Sequence, residues 1–242
     1  MHPPSPARSG SPLSIGSPTD QESFIVRLRM AAAMAAAVFA VLLPLAWHAS
    51  GVDGVDRWIV VANPSAHRTL FDLGAAGSFV GSGMVVAAVA ILAGMYLWLR
   101  SRRPWLGLAV VMAAGGTGAL QLAAKYVIQR PRPGSASVSG ESGYTFPSGH
   151  TAGATALAVG LVVLALHGPW SVRLTRQGRR GVLIVAVVYA AGVAISRVLV
   201  GAHYLTDTIA GLAFGVVVST LTFATALRRE AAGTHPLRGV EH

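Results

Sequence analysis

The stretch from Lys125 to Asp207 contains KYVIQRPRP (125–133), PSGH (147–150) and SRVLVGAHYLTD (196–207), three polar clusters set among long apolar runs. Each cluster adjoins a run long enough to cross a bilayer. Ionisable groups at such places are expensive and mark a functional site by default. Lys125, Arg132 and Arg197 are cations, His150 and His203 are imidazoles, and Asp207 is a carboxylate. Brought together from separate helices, they point to chemistry on an anion.

Working outward, the composition is that of a membrane protein. Of 242 residues, 53% are hydrophobic and only 12% charged, and apolar runs of about 20 residues follow one another, the length that spans a hydrocarbon core. The net charge of +10 does not signal nucleic acid, because the arginines sit at the ends of apolar runs, where membrane topology puts them. The absence of cysteine excludes disulfides, thiol catalysis and Cys-based metal sites. Lys125 is the one lysine among nineteen basic residues. It is either an accident of composition or a position that wants a compact ammonium rather than a guanidinium.

The fold expected is all-α: a polytopic bundle of six transmembrane helices, with short interfacial helices between spans one and two. Residues 1–29 are expected as a disordered cytoplasmic tail, Pro-, Ser- and Gly-rich over 1–22. The six-span domain is expected over 30–229, and a second cytoplasmic tail over 230–242. The spans fall near 30–48, 78–99, 105–127, 150–167, 182–199 and 206–227. The mixed stretch 50–77 reads as amphipathic segments in the interface, broken at Pro64.

Six spans put both termini on one side of the membrane. That side carries thirteen of the basic residues; the other carries six, namely Arg57, Arg68, Lys125, Arg130, Arg132 and Arg197. The positive-inside rule then makes the termini cytoplasmic and turns all three clusters outward. Arg130 itself reads as a residue facing lipid headgroups.

The clusters fit phosphoryl transfer, which needs cations around the equatorial oxygens, an in-line nucleophile and a proton donor for the leaving oxygen. Lys125, Arg132 and Arg197 supply the charge, the arginines with bidentate geometry. Ser148 and Gly149 open a span, where free backbone N–H groups and the helix dipole favour an anion. His203 and Asp207 stand four apart and can share a helix face. An aspartate bonded to one imidazole nitrogen leaves the other free to attack phosphorus. His150, on another helix, is placed to protonate the leaving group. Three neighbouring cations argue against a metal ion, and no cofactor is expected.

These clusters resemble the three-part motif of the type 2 phosphatidic acid phosphatase family, K-x6-RP, PSGH and SR-x5-H-x3-D. Lys125 with Arg132-Pro133, Pro147 to His150, and Ser196-Arg197 with His203 and Asp207 meet every specified residue and internal spacing. The resemblance covers roughly residues 105–220. It implies a helical bundle, a metal-independent mechanism and an outward-facing site. It implies His203 as nucleophile, Asp207 as its partner and His150 as acid, with Lys125, Arg132, Ser148, Gly149 and Arg197 cradling phosphate.

The expected function is a phosphatase acting on a lipid phosphate or diphosphate through a phosphohistidine, at the outer face of a bacterial-type plasma membrane. A polyprenyl diphosphate of the undecaprenyl type, a cell-envelope carrier, comes first among substrates; phosphatidylglycerol phosphate or phosphatidic acid comes next. A lipid phosphotransferase using the same site and a non-catalytic lipid-binding protein are the competing readings. Membrane lipids are the expected partners; nucleic acid is not.

Overall fold

The computed structural model describes residues 18–47, 56, 68–137 and 140–233. Among these the chain forms α1 (Pro18–Trp47), α2 (Arg68–Val80), α3 (Gly83–Leu99), α4 (Pro104–Ile128), α5 (Gly149–His167), α6 (Arg176–Leu199) and α7 (Leu205–Gly233). Short 3₁₀ turns cover Gly134–Ser137 and Ser171–Arg173. α2 and α3 make one apolar stretch, Arg68–Leu99, interrupted by a turn at Gly81-Ser82. The described residues therefore hold six stretches long and apolar enough to cross a membrane, the all-helical, multi-pass bundle expected.

The helices are apolar on nearly every side, and large side chains such as Met34, Leu92, Ile184 and Val188 are well exposed on the outside of the bundle. In water such a surface would be an aggregation site; against acyl chains it is solvated. Trp105 lies under Arg229, 4.8 Å from guanidinium to ring centroid, and Tyr96 stacks on Trp170. Both pairs lie at the end of the bundle opposite the three clusters, as aromatic and basic residues do at a membrane interface.

Several boundaries differ from the expectation. α1 starts at Pro18 rather than near residue 30. Proline suits a first helical turn, Asp20 stands in that turn, and Gln21 donates to the Leu227 carbonyl at 2.8 Å, tying α1 to α7. α7 runs on to Gly233, past the expected limit at 229. Glu230 pairs with Arg103 at 2.5 Å and accepts from the Leu106 N–H at 3.3 Å, near the start of α4. Of the interfacial stretch expected over 50–77, residues 50–55 and 57–67 lie outside the described residues. Residues 68–77 belong to α2, which packs on α6 as part of the second span. Residues 1–17 and 234–242, the outer parts of the expected tails, also lie outside the described residues.

α5 is the centre of the bundle, packed against α3, α4, α6 and α7, while α1 lies against α7 at the edge. The first turns of α5 carry small side chains (GHTAGATA, 149–156), which let neighbouring backbones come close. The closest approach is from α7. A Cβ on Gly211 would lie 2.7 Å from the Ser148 carbonyl oxygen, and one on Gly215 would lie 2.6 Å from that of Ala152. This contact brings the start of α7 against the start of α5, where the Ser148 N–H donates to the Asp207 carbonyl at 3.1 Å. Two motif clusters are thus joined by backbone packing. Gly215→Ala is expected to lower the Tm in detergent by forcing α7 off α5, an overpacking cost of about 1–3 kcal/mol. Gly181→Ala, whose Cβ would meet nothing within 4 Å, is expected to hold or slightly raise Tm, since alanine favours the helix. Differential scanning of the two variants checks this.

Candidate active site

α4 ends, α5 begins, and α6 turns into α7 at one end of the bundle. The α6–α7 turn is short. Gly201, with φ +67°, reverses the chain, and the Arg197 carbonyl accepts from the Ala202 and His203 N–H groups at 3.2 and 3.3 Å. This turn sets the five-residue spacing from Arg197 to His203. It leaves both residues buried, at 3% and 2% exposure, beside the first turn of α7. Ser196, also part of the motif, bonds to the Val193 carbonyl and to Ser78 of α2, and so ties helices together.

Asp207 is fully buried and heavily bonded. One carboxylate oxygen pairs with Arg130 at 2.5 Å; the other accepts from Thr145 at 2.5 Å and from the Tyr204 N–H at 3.0 Å. His203 Nδ1 lies 3.6 Å from that second oxygen, too far for a direct hydrogen bond, and 2.9 Å from the Thr145 hydroxyl. The hydroxyl has one proton, which goes to Asp207, so it accepts from Nδ1–H. The tautomer follows: Nδ1 is protonated and Nε2 holds the lone pair. Arg132, which can only donate, stands 3.5 Å from Nε2.

Arg130 does not face headgroups. It is 5% exposed, pairs with Asp207 and, at 2.9 Å, with Asp56, donates to Thr206, and lies over the Tyr204 ring. Asp56 accepts in turn from the Thr206 N–H and hydroxyl at 3.2 and 2.6 Å. A residue of the first interhelical connection thus clamps the start of α7. Burial works against the Arg130 charge, but Asp207 and Asp56 more than offset it and hold its pKa above the ordinary value.

A cavity of about 480 Å³ opens at this end. Lys125, Arg132, Glu141, Gly149, His150 and His203 form its polar wall. Arg132 donates to the Ser142 and Ala202 carbonyls at 3.0 and 2.9 Å. Glu141, from the connection between α4 and α5, reaches across the cations. It pairs with Arg132 at 3.3 Å and with Arg197 in close contact. Burial pushes the Glu141 carboxyl up, but the charge and hydrogen bond of Arg197, with Arg132, hold it below the usual carboxylate range. The buried Arg197 Nε has no partner among the described residues, so a donor is left over for an anion. Below the polar wall the cavity continues between α3 and α4, lined by Val86, Ala90, Val111 and Ala114.

Seven of the eight expected residues meet here. Lys125, Arg132, Gly149, His150 and His203 line the cavity, Arg197 reaches its anion Glu141, and Asp207 supports His203 from behind. Ser148 is the exception. It is fully buried, its hydroxyl accepts from Thr151 at 3.1 Å, and it holds α7 through its backbone rather than facing the cavity. Sequence reasoning missed Asp56, Thr145 and Glu141, which lie outside the motifs, and misread Arg130.

Burial pushes the His203 imidazole down to about 4, against the opposing pull of Asp207. The folded protein then holds fewer protons at this site than the unfolded chain between pH 4 and 6.5, and His203 is neutral in the upper part of that window. In ¹⁵N-histidine NMR, with His203→Ala for assignment, one resonance pair is expected to keep the Nδ1–H neutral pattern at pH 5.5. An imidazolium pattern there, or an Nε2–H tautomer, would contradict the relay through Thr145.

The PAP2 superfamily pattern matches residues 104–231, more than half of the chain. The chain is 29% identical over 187 residues to Phosphatidylglycerophosphatase B of Bacillus subtilis (strain 168), covering 75% of this chain and 88% of that protein. Its fold is similar to the crystal structure of a transmembrane PAP2-type phosphatidylglycerolphosphate phosphatase from Bacillus subtilis. The TM-score is 0.58 and the identity 24%, with 91% of this chain and 98% of the other covered. The motif spacing, the six apolar spans and the pattern match agree, and this chain belongs to the PAP2 superfamily as a multi-pass membrane phosphatase.

Proposed function

We propose that this protein hydrolyses the phosphomonoester of a membrane glycerolipid, with phosphatidylglycerol phosphate as the leading substrate and phosphatidic acid as the second. The observation that carries the reading is the orientation of His203: Nδ1–H is engaged through Thr145 to Asp207, leaving the Nε2 lone pair beside the cation-lined cavity. Nε2 attacks phosphorus, forming a P–N bond as the P–O bond to the lipid breaks. His150 gives its proton to the departing alkoxide oxygen. Water then attacks the phosphohistidine and gives a proton back to His150, releasing inorganic phosphate and restoring neutral His203. Lys125, Arg132, Arg197 and the Gly149 N–H at the start of α5 stabilise the charge on the equatorial oxygens. Asp207 stabilises the positive charge that develops on the imidazole.

The substrate order differs from the sequence expectation, and the relatives are the reason: the Bacillus subtilis protein of 29% identity is named a phosphatidylglycerophosphatase. The apolar lower cavity between α3 and α4 suits an acyl chain entering from the bilayer. The arginine distribution supports cytoplasmic termini and a site on the outer face of a plasma membrane.

Detergent-purified protein in EDTA is expected to release phosphate from phosphatidylglycerol phosphate and phosphatidic acid faster than from a polyprenyl diphosphate, with His203→Ala as blank. Thr145→Val is expected to lower kcat by roughly 10- to 100-fold, the worth of a hydrogen bond to a group that becomes charged, while Thr145→Ser keeps most of it. Release only after a metal ion is added would overturn the cation-cradle mechanism, and preference for the diphosphate would reverse the substrate order.

A further inference from the structure

Between Ala113 and Ala124, α4 offers two side chains able to hydrogen-bond, Thr117 and Gln121. Gln121 stands one helical turn before Lys125 on the same face, about 6 Å further into the bundle. It lines the cavity together with Lys125, His150 and His203, where the polar wall gives way to the apolar crevice. Its Oε1 is buried without a hydrogen-bond partner among the described residues. Its amide lies against Gly149, where a Cβ would come within 3.0 Å of Cδ, Oε1 and Nε2 alike. The missing side chain at Gly149 thus makes room for the amide.

An unpaired buried amide oxygen is costly, because it has lost its water and gained no donor. Leucine, common along this helix, would fill the same volume without that cost. Plain interhelical packing therefore accounts poorly for glutamine here, whereas a substrate group that completes its hydrogen bonds accounts for it well. Rotation of the terminal amide exchanges Oε1 and Nε2, so Gln121 can accept from a hydroxyl or donate to an ester oxygen.

The lipid group at this depth distinguishes the substrate classes. In glycerolipid phosphates the carbon next to the phosphate-bearing carbon carries oxygen, a hydroxyl in the headgroup glycerol of phosphatidylglycerol phosphate or in a lysolipid, and an ester in phosphatidic acid. In a polyprenyl phosphate the same carbon is part of an alkene. We propose that Gln121 is a specificity-determining residue that hydrogen-bonds this oxygen substituent and so selects glycerolipid phosphates over polyprenyl and simple alkyl phosphates. The inference rests on the phosphatase reading above and adds the substrate feature that the site reads.

The test compares kcat/KM of wild type and Gln121→Leu on lysophosphatidic acid, phosphatidic acid, farnesyl phosphate and hexadecyl phosphate in mixed micelles. Wild type is expected to prefer the two glycerolipids. Gln121→Leu is expected to lower the ratio of lysophosphatidic acid to hexadecyl phosphate by about tenfold, the loss of one such hydrogen bond. Gln121→Asn, with the same amide on a shorter stem, is expected to regain part of it. An equal loss on all four lipids would make Gln121 a packing residue for Gly149 and overturn the proposal, as would an unchanged ratio. Wild-type protein that releases phosphate from none of the four would overturn the phosphatase reading itself, an outcome distinct from unchanged selectivity.

Discussion

The buried carboxylate of Asp207 is the interaction on which this structure depends. It receives Arg130 from the end of α4, Thr145 from the connection before α5, and the Tyr204 N–H from its own turn, while its backbone carbonyl receives the Ser148 N–H of α5. Four segments of the chain meet on one residue. An ionised carboxylate without water is tolerable only when its oxygens are fully engaged. That requirement forces the arrangement: each partner must be present for the charge to stay buried, and once they are, His203 has a defined neighbour for Nδ1. Asp207 is therefore a structural charge, held by Arg130, which Asp56 also pairs from behind.

The membrane supplies the frame for this network. With lipid on the outside, helices gain little from hiding apolar surface from one another and associate through close contact instead. Small residues on α5 and α7 allow that contact at the end where the clusters lie, so the packing that closes the bundle also sets the site. The cations stand apart from the Asp207 network. Arg132 and Arg197 share Glu141, and Lys125 completes the ring. One set of charges is fully internal; the other meets at the Glu141 carboxylate beside the cavity.

Much of this was legible in the sequence because motif residues carry their own spacing. Lys125, Arg132, His150, Arg197, His203 and Asp207 were found as charges at the ends of apolar runs, and the alternation of spans put them on one face. The residues missed have no such signature. Thr145 is a neutral hydroxyl in a loop rich in Gly and Ser, two residues before Pro147. Its role exists only when Asp207 and His203 arrive from 58 residues or more away. Asp56 lies 74 residues before its partner Arg130, in a stretch whose mixed polarity reads as interfacial. Arg130 looks like one more basic residue at a span end because its two carboxylates are invisible along the chain. Ser148 differs in another way: its backbone N–H, expected free at the start of a span, donates to the Asp207 carbonyl.

The claim at the centre of the account is that Nε2 of His203 takes the phosphoryl group. Rapid quench of the wild-type protein within its first turnover of radiolabelled phosphatidic acid, followed by base-stable peptide mapping, tests it most directly. Phosphate on the peptide containing His203, acid-labile and attached at Nε2, is the result predicted, with no phosphopeptide from His203→Ala. Phosphate on another residue, or complete turnover with no phosphoenzyme and inversion at phosphorus, would contradict it.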